Sequence, residues 1–96
     1  MIAAMTLDAK QRRSLVSRSH PLKPIVYVGR HGVQPAQIEA IREHLRKHDL
    51  CKVKIDAETG EEADAIARSI VEAVPCDFVA RRGHVAILHS DAADAD

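Results

Sequence analysis

Aromatic side chains are nearly missing from this chain: Tyr27 and Phe78 are its only two, and tryptophan is absent. Any recognition of a nucleic acid must therefore rely on charge and backbone groups more than on base stacking, which lowers the expected sequence specificity. Cysteine is scarce too. Cys51 and Cys76 have no close-spaced partner and no secretory context, which argues for reduced thiols and against a disulfide scaffold. No apolar stretch approaches the roughly 20 residues that would cross a bilayer, and Met1-Ile2-Ala3-Ala4-Met5 is too short for a signal-peptide core, so a cytoplasmic location is expected. Catalytic signatures are missing as well. The serines lack a nucleophile-elbow context, Glu61-Glu62 stand where a helix start favours acids, and no glycine-rich loop ends in Gly-Lys-Ser/Thr. Neither an enzyme nor a cofactor is expected.

What is present suits one folded domain. The 96 residues are 46% hydrophobic and 29% charged, an ordinary balance for a packed chain and too short for a deep cleft between two domains. A net charge of zero hides a division: through Lys54 there are eleven basic and four acidic residues, and from Ile55 onward three and ten, so the halves carry +7 and −7. Such asymmetry points the first half toward a polyanionic partner, unless the halves neutralise each other in space.

Along the chain, residues 7 to 18 read as a basic helix with Thr6 or Asp8 near its start and Leu7, Leu15 and Val16 on its thin apolar side. Pro21 and Pro24 then enforce extended chain. Ile25-Val26-Tyr27-Val28 has the continuous apolar character of a strand buried on both faces or nearly so. Pro35 suits a first helical position, and Ile38, Ile41 and Leu45 continue a second helix to about His48. Cys51-Lys52-Val53-Lys54-Ile55 alternates as a strand with Val53 and Ile55 inward and both lysines outward. Thr59 caps a third helix whose stripe runs through Ala63, Ile66, Ala67, Ile70, Val71 and Val74 until Pro75. Residues 78–80 and 85–88 are short strands about an Arg81-Arg82-Gly83 turn. The expected fold is an α/β two-layer sandwich with a mixed four-stranded sheet in the order α-β-α-β-α-β-β, spanning residues 6–90. The acidic tail 91–96 is expected to be disordered.

One segment points to chemistry. Gly29-Arg30-His31-Gly32 follows a strand and leads to a helix, and glycines there let the chain turn and let another backbone come close. Helical amides and an arginine add attraction for phosphate, as in the KH module, whose Gly-x-x-Gly loop clamps a single-stranded backbone. Lys23, Lys52 and Lys54 extend the positive charge; Arg81 and Arg82 either close that patch or merely solubilise a turn. His44 and His48 have the four-residue spacing of metal ligands, but no third ligand stands nearby, so solvated or packing histidines and no metal are expected.

Leu7 with Lys10, the run Ser19-His20-Pro21-Leu22-Lys23-Pro24 into the Gly-x-x-Gly loop, and His48-Asp49-Leu50-Cys51-Lys52-Val53-Lys54 together resemble the bacterial single-domain CRM (chloroplast RNA splicing and ribosome maturation) family, often called YhbY. The resemblance covers residues 7 to 89. It implies a fold like the C-terminal domain of translation initiation factor three, RNA binding, and association with precursors of the large ribosomal subunit. Carried over by position, the RNA-binding residues are Gly29, Arg30, His31 and Gly32 with Lys10, Lys23, Lys52 and Lys54 around them. The acidic tail and Asp49, where glutamate is common, depart from the family pattern. A monomer is the simplest expectation, and the competing reading is a protein-interaction module that docks an acidic partner in a ribosome-associated complex.

Overall fold

Local signals in the chain set the ends of the helices. A computed structural model describes residues 7–90 and places α1 at Ala9–Ser19, β1 at Val26–Val28, α2 at Pro35–Lys47, β2 at Leu50–Ile55, α3 at Gly60–Ala73, β3 at Asp77–Arg82 and β4 at Val85–His89. Thr6 and the segment 91–96 lie outside the described residues. Asp8 caps α1: its carboxylate accepts from the Gln11 amide at 2.7 Å, while the Gln11 side chain accepts from the Asp8 amide at 3.0 Å. Pro35 opens α2, where the missing N–H costs nothing. Thr59 caps α3 through the Glu62 amide at 3.1 Å, with Glu61 and Glu62 at the positive end of the helix dipole.

The sheet order is β1-β2-β4-β3. β1 lies parallel to β2, and β4 lies antiparallel to both β2 and β3. β3 therefore runs in the same direction as β2 but one place away, and the chain doubles back to fill the gap with β4. That return is a two-residue turn at Gly83 and His84. Gly83 has a φ of +61° and His84 keeps a negative one, the pattern of a hairpin that needs glycine first. Arg81 and Arg82, expected in the turn, belong instead to the end of β3.

Alternation along the strands gives each face its own core. Cys51, Val53, Ile55, Ala86 and Leu88 meet Ile41 and Leu45 of α2 and Ala63, Ala67 and Ile70 of α3. The sheet and this helix pair are the two main layers. On the opposite face, Leu15 and Val16 of α1 cover Leu50, Val79 and Ile87. α1 is tied at its start to β3, where Arg12 donates to the carbonyls of Phe78, at 2.9 Å, and Val79. At its end it is tied to β2, because the Lys52 ammonium donates to the carbonyls of Ser19 and Leu22 at 3.0 and 3.1 Å.

Two expectations are corrected here. Lys52 shares a face with Lys54 but does not point into solvent; its ammonium donates to the carbonyls of Ser19, the last residue of α1, and of Leu22 in the connection that follows. β1 is not buried on both faces, since it is a three-residue edge strand beyond the reach of α1, and Tyr27 is 66% exposed.

Cys51 and Cys76 are free thiols at the α2/α3 core. Burial pushes both up from 9.0 to about 12, helped for Cys51 by Cys76 and for Cys76 by Asp77. A thiol whose pKa rises on folding favours the fold while neutral, so this contribution is intact below about pH 9 and fades as pH climbs toward 12. At pH 8 iodoacetamide is expected to label the native protein slowly and the urea-unfolded chain fast. Equal rates would contradict the buried placement.

Candidate nucleic-acid interface

Three connections meet at one end of the sheet: the 29–32 loop after β1, the 56–59 segment after β2, and the Gly83-His84 turn between β3 and β4. In the first, the Gly32 amide donates to the Gly29 carbonyl at 3.1 Å, closing a four-residue turn centred on Arg30 and His31. Arg30 and His31 keep negative φ, and Gly32 follows at +94°, where a side chain is strained. The turn therefore requires glycine at position 32. Position 29 is different. Its φ is not in the left-handed region, and a Cβ built there would meet nothing within 4 Å. The fold makes no demand for glycine at 29; what its absent side chain leaves is open surface.

The loop is pinned at its feet. The Gln37 side chain, on the first turn of α2, donates to the Tyr27 carbonyl at 2.6 Å, and the Asp56 amide donates to the Val28 carbonyl at 2.8 Å. Gln37 also accepts from the Gln34 amide at 2.9 Å, fixing the approach to α2. Gly29, Arg30 and His31 remain exposed at the tip. Arg30 pairs with Glu58 at 2.7 Å, with both side chains 64% exposed. Such an open pair is worth no more than about 1 kcal/mol, so a phosphate can take the guanidinium at little cost.

Of the lysines expected around the loop, Lys54 joins it. Exposed at the end of β2, it lies with Tyr27, Val28, Ile55, Asp56 and His84 around a shallow cleft beside the turn. Its ammonium sits 5.8 Å from the centroid of the Tyr27 ring. Lys52 is held under the end of α1 as described. Lys23 is exposed in the α1–β1 connection, level with the middle of β2, where the Ile25 amide donates to the Lys52 carbonyl at 2.9 Å. Lys10 lines a hollow with Leu7, Ser14 and His89, and His89 pairs with Leu50 at the far end of β2. Five residues of strand, about 17 Å, separate that end from Ile55. The structure thus gathers the loop and Lys54, and leaves Lys23 at mid-height and Lys10 at the opposite end.

Much of the remaining basic character serves the fold. Arg18 pairs with Asp49 at 2.9 Å, Arg42 with Glu39 and with the Ala73 carbonyl at 3.0 Å, and Arg46 and Lys47 with Glu43. Arg81 pairs with Asp64 at 2.6 Å, which removes it from a phosphate patch, while Arg82 is exposed. His44 donates through Nε2 to the Leu50 carbonyl at 3.1 Å, and its ring lies 4.7 Å from that of His48. No group of three or more metal-ligating side chains occurs among the described residues. Sequence reasoning missed Tyr27, His84 and, in part, Arg82. The only signal for Tyr27 was an aromatic with a polar tip inside an otherwise aliphatic run.

The model of the CRS1 / YhbY (CRM) domain family matches residues 7–89. The chain belongs to the CRM family. The match takes in all seven elements, from the cap of α1 to the end of β4. An RNA-binding protein of Haemophilus influenzae is 30% identical over 90 residues, covering 94% of this chain and 91% of the relative. The protein named Probable RNA-binding protein YqeI, of Bacillus subtilis, is 32% identical over 85 residues, 88% of each chain. The solution structure of a hypothetical protein of Staphylococcus aureus, described as a candidate for RNA binding, superposes with a TM-score of 0.79 at 26% identity and 90% coverage of both chains. No helix among the described residues of this CRM domain is long and apolar enough to cross a membrane.

Proposed function

We propose that this CRM domain binds RNA by its sugar-phosphate backbone at the 29–32 loop, as a monomer in the cytoplasm, on precursors of the large ribosomal subunit. The observation that carries the reading is the open surface over Gly29, which the fold does not require, on a pinned turn that carries Arg30 and adjoins Lys54. A backbone can approach there without meeting a Cβ, and the cations supply charge-assisted bonds to phosphate. The start of α2, three residues beyond Gly32, adds its positive dipole end. Relatives named as RNA-binding proteins and a solved structure of the same fold support the assignment. The ribosomal part of the proposal rests on the family resemblance.

The test is the affinity for single-stranded RNA measured across a salt series. Two or three phosphates neutralised on a single strand give a log-log slope of about −1.4 to −2. Glu58 competes with phosphate for Arg30, so Glu58→Gln is expected to tighten binding about two- to fivefold. An affinity indifferent to salt, or weakened by Glu58→Gln, would count against a phosphate site at the loop.

A further inference from the structure

On the sheet face opposite α2 and α3, cross-strand partners line up in a row. Tyr27 pairs with Lys54, Lys54 with Val85, and Val85 with Arg82, so each strand contributes one side chain at the same height. Paired residues project from the same face of a sheet, and at a spacing of about 4.8 Å per strand the row is about 14 Å across. The next row, Lys52, Ile87 and Ala80, lies toward α1 and is half or wholly buried. α1 stops short of the outer row: Tyr27, Lys54 and Arg82 are exposed and Val85 half-buried. One residue, Val28, separates Tyr27 from Gly29, so the row begins where the loop begins.

Tyr27 has no part in either core, although the chain has only one other aromatic outside histidine. Its ring is nonetheless placed. The Lys54 ammonium lies within the roughly 6 Å over which a cation attracts an aromatic face, which steadies the ring without burying it. An exposed, oriented ring with a cation beside it and another at the far end of an open sheet surface suits a ligand that is both flat and anionic. Asp56, the acid on the cleft rim, repels phosphate but can accept a hydrogen bond from a base amino group.

We propose that the Tyr27–Lys54–Val85–Arg82 row is a platform for an unpaired RNA base, which stacks on Tyr27 with its flanking phosphates drawn to Lys54 and Arg82. The platform rests on the backbone-binding reading of the loop and adds to it a requirement for exposed bases. A base inside a double helix has both faces occupied, so single strands bind here and duplexes do not.

Tyr27 is the sole tyrosine in a chain without tryptophan, so intrinsic emission reports on this ring alone. The probes are a short oligouridylate and an abasic ribose-phosphate chain of equal length, with emission corrected for nucleotide absorbance. Both chains are expected to bind, and only the oligouridylate to quench Tyr27. Tyr27→Ala is expected to weaken oligouridylate binding about five- to 150-fold while leaving the abasic chain within about twofold, and Tyr27→Phe to restore most of the loss. Equal binding of both chains without quenching, and a Tyr27→Ala variant that behaves as the parent, would overturn the platform and leave the loop reading intact. Failure of the parent to bind either chain would overturn both.

Discussion

Replacing Arg30 and Lys54 together by glutamate is expected to weaken RNA binding about 100-fold at moderate salt, with little change in melting temperature. Each charge-assisted contact to phosphate is worth about 1.5–3 kcal/mol, and about 1.4 kcal/mol is tenfold in affinity, so losing two gives a factor of at least this size even before repulsion is added. The salt slope should flatten by about 1.4 as two counterion-releasing contacts disappear. Folding is insulated from the change. Arg30 loses only an exposed pair with Glu58, and Lys54 stands on the uncovered part of the sheet. The check is RNA affinity at two salt concentrations beside thermal melts of both proteins. A double variant with parental affinity would end the proposal that these cations hold the backbone.

A second large effect is expected far from solvent. Leu88→Ala should lower the free energy of unfolding by about 2–5 kcal/mol, the range for removing a large buried aliphatic side chain and leaving a cavity. For a domain of this size each kcal/mol moves the melting temperature by about 4–8 °C. Leu88 is wholly buried on β4, paired with Cys51 on one side and Phe78 on the other, and it faces α2 and α3. Leu22→Ala in the exposed α1–β1 connection is the control, expected to fall within about 0.5 kcal/mol of the parent. Urea denaturation followed by circular dichroism measures both. A loss at position 88 no larger than at position 22 would contradict the central place of β4.

These two variants mark different depths of legibility. The double substitution acts on residues whose charge and exposure could be read directly, Arg30 inside the Gly-x-x-Gly stretch and Lys54 on an alternating strand, although only the pairing of β1 with β2 brings Lys54 beside the turn. The importance of Leu88 depends on strand order. A C-terminal strand at the end of a hairpin could as well lie at the edge of the sheet, and only the pairing of β4 with β2 puts it in the middle. Lys52 and Tyr27 show the same division. Alternation assigned Lys52 to its correct face, but whether that face met water depended on where α1 came to rest. The shortage of aromatics argued against stacking as a means of recognition, and no local pattern indicated that one of the two aromatics would stay exposed beside a lysine.

The sequence by itself determined the order of the elements, the caps at Asp8 and Thr59, the helix start at Pro35 and the glycine turn at position 32. It also carried the family pattern from residue 7 to 89. Those features rest on interactions among residues a few positions apart, where periodicity, missing N–H groups and allowed φ values act directly. Tertiary structure alone decided which cations gather at one end of the sheet, which are tied into ion pairs or under a helix end, and which row of the sheet stays bare. Apart from the ion pairs within α2, those outcomes follow from pairing and packing between different elements, whose geometry is set by the shared core and not by any local run of side chains.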